Sequence, residues 1–145
     1  MINKVLDTNI FLAAVLSKKG ICRKILRYSI NGTFQPLMGE ALFHEYEDVL
    51  SRAHLFRKCA ISSEERDELL NAFMASCKWV HIYYTWRPNL RDEADNHLIE
   101  LAVAGNAEVI VTRNIKDFNS AELLFESIKI LKPEHFIKDY KGILQ

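Results

Sequence analysis

The chain has 145 residues, 49% apolar and 26% charged, an ordinary globular composition, long enough for one domain over 1–145 with a substantial core. Three cysteines, Cys22, Cys59 and Cys77, are odd in number, far apart and without a CxxC, which argues against a zinc site or a disulfide framework and fits reduced thiols in a cytoplasmic protein. Formal net charge is zero, so bulk electrostatics select no partner. No apolar run approaches the ~20 residues of a membrane-spanning helix, and Asp7 and Asn9 interrupt the N-terminal apolar stretch too early for a signal peptide.

In chain order, "KVLD" reads as a short buried strand. "TNIFLAAVLSKKG" reads as a helix with Thr8 or Asn9 as N-cap and Gly20 near its end. "ICRKILRYSING" is a second helix with an Asn-Gly stop, and "TFQPLMG" an extended segment weakened by Pro36. "EALFHEYEDVLSR" and "SSEERDELLNAFMASC" are helices, the second opened by a serine cap. "WVHIYY" is a strand, "RDEADNHLIELAVAGN" a helix stopped at Gly105, and "AEVIVT" a buried strand. "SAELLF" is a short helix, "IKIL" a strand, and "PEHFIKDY" a helix with Pro133 in its first turn. Five strands, at about 4–7, 34–38, 79–84, 108–112 and 128–131, alternate with helices. That alternation predicts an α/β fold with a parallel sheet covered on both faces. Ligands gather at the carboxyl ends of such strands. Asp7 follows strand one, and Thr112, Arg113 and Asn114 follow strand four, so the two segments share a crevice if those strands are neighbours.

Charge is unevenly distributed. Residues 1–58 carry nine Lys/Arg and five Asp/Glu, and residues 59–145 ten and fourteen. In "SKKGICRKILR", Lys18, Lys19, Arg23, Lys24 and Arg27 occur without an acid. The cluster fits either a solvated helix face or contact with phosphates.

Three acids fall where apolar residues belong. Asp7 sits inside "VLDTNIF", where an unpaired buried charge costs several kcal/mol. It either caps the helix that follows or binds something positive. On a wheel of about 100° per residue, Asp95 lies within the apolar stripe of Leu98, Ile99 and Ala102, and Asp92 on its edge. Glu93, Asn96, His97 and Glu100 form the outward face. A cap or dipole role suits Asp92 better than Asp95. On the "FHEYEDV" helix, Glu45 is the acid nearest the apolar side, beside Ala41, Leu42 and Val49. Clustered carboxylates stay ionised only around cations, and hard oxygen donors select Mg²⁺ or Mn²⁺. Such ions activate water for displacement at phosphorus.

At these residues the sequence resembles the PIN domain family, particularly bacterial VapC-type toxins. The resemblance rests on "LDTNIF", "EALFHEYEDVL", "RDEADNHLIELAVAGNAEVIVT" and "TRNIKDF". It implies a three-layer α/β fold with a central, mostly parallel five-stranded sheet flanked by helices. It also implies Mg²⁺- or Mn²⁺-dependent cleavage of RNA, an antitoxin protein partner and a homodimer. The family's acids match Asp7, Glu45 and Asp95 as metal ligands, with Thr8, Asn9 and Thr112 in support and Asp92 as an additional acid. At the fourth position many relatives carry Asp where this chain has Asn114. Asn brings a carbonyl oxygen but no charge, and Asp117 three residues later is the compensating candidate. Lys18, Lys19, Arg23 and Lys24 would hold the RNA backbone. A catalytically weak or inactive PIN-fold module that binds RNA or protein is the second reading, supported by Asn114. A DxD phosphatase needs a second Asp where Asn9 stands, and a phospho-receiver needs an acidic pair where only Asp7 is present.

Overall fold

The computed structural model describes residues 2–17, 19–59, 61–82, 96–118 and 127–142. Their elements are β1 (Asn3–Leu6), α1 (Thr8–Leu16), α2 (Ile21–Ile30), β2 (Gln35–Met38), α3 (Glu40–Leu50), α4 (Ser63–Ser76), β3 (Lys78–Trp79), α5 (Asn96–Ala104), β4 (Val109–Val111), β5 (Lys129–Leu131) and α6 (Pro133–Asp139). Two 3-10 turns, Ala53–Phe56 and Ile115–Phe118, complete them.

The five strands form one sheet in the order β3-β2-β1-β4-β5. Among the described residues every pairing is parallel, so the sheet they form is wholly parallel. Val5, Leu6, Val109, Ile110 and Val111 are fully buried, as a sheet covered on both faces requires. Helix α5 packs on β1, β2 and β4, α4 on β2, and α6 on β5. Helices α1 and α2 pack together, and α2 also meets α4 and α6. Pro36 sits inside β2 opposite Lys4. It costs no ladder bond: the Gln35 N–H goes to the carbonyl of Ile2, just before β1, so position 36 faces β3, which pairs only with Leu37 and Met38.

Sequence signals and observed boundaries agree at several ends. The Ser62 side chain accepts from the Glu65 N–H as the cap of α4, and Pro133 opens α6. Gly32, past the end of α2, has φ +88, the left-handed region open to glycine. Gly105 is needed for a different reason, since a Cβ there would meet Leu37 Cδ1 at 2.5 Å.

Other boundaries moved. Helix α1 stops at Leu16, not near Gly20, because α2 folds back on it and the Arg23 Nε donates to the Ala14 carbonyl at 2.7 Å. The N-cap of α1 is Asp7, one residue before the expected Thr8 and two before the expected Asn9. The third strand is Lys78–Trp79, with the expected residues 83 and 84 outside the described ones, as is the expected "SAELLF" helix.

Lys4 is an unexpected core residue. Its side chain is fully buried in β1, and Nζ has no hydrogen-bond partner among the described residues. It lies 4.2 Å from the Phe34 ring centroid and 5.1 Å from that of Phe136. Cation–π contact favours the charge by about 0.5–2 kcal/mol, but burying an unpaired ammonium costs several. Burial wins, and the amine's pKa falls well below the usual lysine range.

Candidate functional site

Strands β1 and β4 are hydrogen-bonded neighbours, with Leu6 opposite Val111. Residues 7–9 and 112–114 therefore leave the sheet side by side. Asp7 continues the ladder by donating its N–H to the Val111 carbonyl at 3.0 Å. The backbone then turns into α1 with Asp7 at the N-cap position, yet the Asp7 side chain makes no capping bond. The carboxylate points across to β4 instead. Its Oδ2 accepts from the Thr112 hydroxyl at 2.8 Å and from Asn9 Nδ2 at 3.2 Å. The Thr112 hydroxyl in turn accepts from the Asn114 N–H at 3.1 Å and from Asn9 Nδ2 at 3.4 Å. Asn9 closes the link by accepting from the Arg113 N–H at 3.3 Å. Asp7, Asn9 and Thr112 thus join two strand ends whose residues lie more than a hundred positions apart.

Glu45 reaches the same place from α3. Its neighbour Tyr46 is fully buried and donates its hydroxyl to the Leu6 carbonyl at 2.8 Å. That bond fixes α3 over the last residue of β1. Phe11, Tyr46 and Phe73 pack ring against ring, with centroids 5.5–5.8 Å apart, and so hold α1, α3 and α4 together beneath the site. Glu45 Oε1 accepts from the Thr8 hydroxyl at 3.3 Å, and that hydroxyl lies 3.4 Å from Asp7 Oδ1. A hydroxyl has one proton to donate. Two carboxylate oxygens face Thr8, and only one of them can receive it. The other Glu45 oxygen, Oε2, is 2.6 Å from His97 Nε2 on α5.

The electrostatics follow from this geometry. Asp7 is 4% exposed. Burial pushes its pKa above the usual carboxylate value, the Thr112 hydrogen bond pulls it down, and the Glu45 charge raises it again. A hydrogen bond from the Thr8 backbone and the neighbouring His97 pull it down in part, but burial is the largest effect, so a cation here would favour the ionised carboxylate. The donors are hard oxygens, which fit Mg²⁺ or Mn²⁺ and not a thiophilic ion. The described residues supply only part of a coordination sphere, because no group of three or more His, Cys, Asp or Glu side chains among them could hold an ion. Asp7 and Glu45 could supply oxygen donors to a divalent cation.

A family model for the PIN domain matches residues 3–116. The chain belongs to the PIN domain family. Its fold is similar to that of a chain in the crystal structure of VapBC2 from Rickettsia felis bound to a DNA fragment from their promoter, with a TM-score of 0.57 and 15% identity over 90% of this chain and 98% of that one. At that identity the likeness is one of fold. No curated protein matches.

Within this PIN fold the residues singled out from sequence fall as follows. Asp7, Thr8, Asn9, Glu45, Thr112 and Asn114 are brought together at the ends of β1 and β4. Asn114 is exposed and takes part through its backbone N–H. Asp117 lies on the turn Ile115–Phe118, with its side chain outside the described ones. Asp92 and Asp95 are outside the described residues, four and one positions before α5. Of the basic cluster, Lys18 is also outside them, Lys19 and Lys24 are exposed, and Arg23 is partly buried with Nε held by α1.

His97 and Glu100 correct the wheel, which put both on the outward face of the helix. The His97 side chain is 15% exposed and Glu100 is buried. The wheel assumed one packed face, whereas α5 meets α3 as well as the sheet, and its polar flank is covered too. His97 is the site residue that sequence reasoning missed. Its spacing from Asp95 gave no signal, since residues two apart on a helix face opposite ways.

Proposed function

We propose that the chain is a Mg²⁺- or Mn²⁺-dependent endoribonuclease, the toxin component of a toxin–antitoxin pair acting in the cytoplasm. One observation carries this reading: Asp7 and Glu45, from different elements, bring two carboxylate oxygens to the single proton of Thr8 at the crevice where β1 and β4 end. Membership of the PIN domain family supports nuclease chemistry, and the likeness to a VapBC2 chain supports a protein partner.

Asp7, Glu45 and Asp95 would hold the divalent cation. When bound, that cation supplies Lewis-acid activation of water and stabilises charge building on the phosphodiester oxygens. Thr112 and Asn9 fix Asp7 Oδ2, which leaves Oδ1 for the ion. Thr8 then directs its one proton as the occupied site requires. Asp92, Asn114 and Asp117 would orient ligands or water. Lys18, Lys19, Arg23 and Lys24 would contact the RNA backbone, with Lys19 and Lys24 the exposed members and Arg23 offering only what its bond to Ala14 leaves free. A second copy of the chain would complete a homodimer.

Asn114 favours a second reading, a weak or inactive PIN module that binds RNA or protein, because it brings no charge to the fourth acidic position. One assay separates the two. Purified chain is incubated with end-labelled RNA, with Mn²⁺, with Mg²⁺ and with chelator. The nuclease reading predicts metal-dependent internal cuts that Asp7→Asn abolishes. Binding without cuts in either metal would replace it with the second reading.

A further inference from the structure

Glu45 lies on the flank of α3 with its side chain about one-third exposed. A long, partly solvated carboxylate does not stay aimed at a neighbouring acid unaided. The Thr8 hydroxyl, at 3.3 Å and shared with Asp7, is a weak tether. The stronger one is His97, whose Nε2 stands 2.6 Å from Glu45 Oε2, well inside hydrogen-bond distance and with an ionised acceptor. We propose that His97 is a positioning residue for Glu45: it donates its Nε2–H to Oε2, so that Oε1 is presented toward Asp7 and the cation. This rests on the metal-dependent reading of the acid cluster given above.

Three observations carry the assignment. First, the ring is tightly placed. His97 sits in the first turn of α5, whose Leu98, Ile99, Leu101 and Ala102 are buried, and α5 packs against both α3 and β1. The imidazole therefore moves with the sheet and not with solvent. Second, the proton's place follows from what surrounds the two nitrogens. Nδ1 is buried and has no hydrogen-bond partner among the described residues. A ring with its hydrogen on Nε2 leaves only a lone pair idle there. Hydrogen on Nδ1 alone would instead set the Nε2 lone pair against the lone pairs of Oε2 at 2.6 Å. Third, the two Glu45 oxygens are divided between partners: His97 takes Oε2 and Thr8 faces Oε1. That is how a ligating carboxylate is oriented by groups that do not touch the ion.

The test reads cation affinity in the absence of RNA. Mn²⁺ is titrated calorimetrically into the full chain and its variants, and the metal-free melting temperature of each is recorded. His97→Leu fills the space without a donor and should weaken Mn²⁺ binding by about 10–100-fold. His97→Gln carries an amide N–H near the Nε2 position and should recover most of the loss. His97→Asn, too short to reach Glu45, should not. The Gln and Asn pair decides the matter even if the Leu variant fails to fold. Equal loss in Gln and Asn overturns the proposal, since the ring would then be acting on the ion itself or only filling space. Wild-type affinity in the Leu or Asn variant also overturns it, provided Asp7→Asn still loses binding, and leaves the metal site standing. Wild-type affinity in Asp7→Asn as well would bring down the metal-site reading and this inference with it.

Discussion

Asp7→Asn separates a functional acid from a structural one, and the structure sets the size of the effect. Asparagine keeps the shape. Its carbonyl oxygen can take the place of Oδ2 and keep the donors Thr112 and Asn9, losing about 1 kcal/mol of charge assistance in the exchange. Its NH₂ then takes the place of Oδ1, facing the Thr8 hydroxyl, which can accept as well as donate. The Thr8 proton is released to Glu45 Oε1, and the shortage of donors at this point disappears. The charge removed is nearly fully buried, and an uncompensated one costs several kcal/mol. The balance favours the variant by at least ~1 kcal/mol, which is a rise of roughly 3 °C in metal-free melting temperature for a domain of this size. Calorimetric melting with chelator, then with Mn²⁺, is the assay. Wild type should be markedly stabilised by Mn²⁺ and Asp7→Asn hardly at all. A variant that melts below wild type in chelator, and still responds fully to Mn²⁺, would show that Asp7 is a structural group and refute the reasoning.

Thr112→Val removes the hydroxyl that donates to Asp7 Oδ2, so stability should fall by about 1–3 kcal/mol. Asp7 already titrates above the usual carboxylate value; its contribution stabilises the metal-free fold at low pH and is lost as pH rises through that raised value. Cation binding needs the ionised form, so Mn²⁺ stabilisation should grow over the same window, and Thr112→Val should shift its midpoint to higher pH. An unmoved midpoint would argue against the Thr112–Asp7 bond. Lys19→Ala combined with Lys24→Ala should weaken RNA association and lower the log-affinity against log-salt slope by roughly 0.7 for each phosphate no longer neutralised; an unchanged slope returns the cluster to a solvated helix face. Lys4→Met should stabilise the fold by about 1–3 kcal/mol at neutral pH by removing an unpaired buried amine. Because the Lys4 pKa is lowered in the fold, its penalty relaxes as pH rises toward the ordinary lysine value. The gap between variant and wild type in urea unfolding should therefore shrink with pH, and a constant gap would contradict the burial account.

The parts of this architecture legible in sequence are those set by local chemistry. Asp7 stood out because Val5, Leu6, Ile10 and Phe11 surround it, and all four are core residues. The Ser62 cap and the Gly32 turn were readable for the same reason. The shared crevice needed one fact that no single segment carries, namely that β1 pairs with β4. Thr112 could be named from its place after a buried strand, but its bond to Asp7 depends on that pairing. His97 was hidden because helical periodicity describes one helix against one surface, while α5 is covered by α3 as well. The overlong α1 has a similar cause. "SKKG" is compatible with helix, and it is the return of α2, with Arg23 taking the Ala14 carbonyl, that ends it at Leu16.

The central claim, that Asp7 and Glu45 share a divalent cation with Asp95, is tested most directly by crystals of the chain grown or soaked in Mn²⁺. Anomalous difference density collected at the manganese edge would locate the ion. The account predicts a peak at ~2.0–2.6 Å from Asp7 Oδ1 and from an Asp95 oxygen, beside Glu45 Oε1, with His97 still bonded to Oε2. A saturating Mn²⁺ soak that leaves this point without a peak, or places the ion away from Asp7, would contradict it.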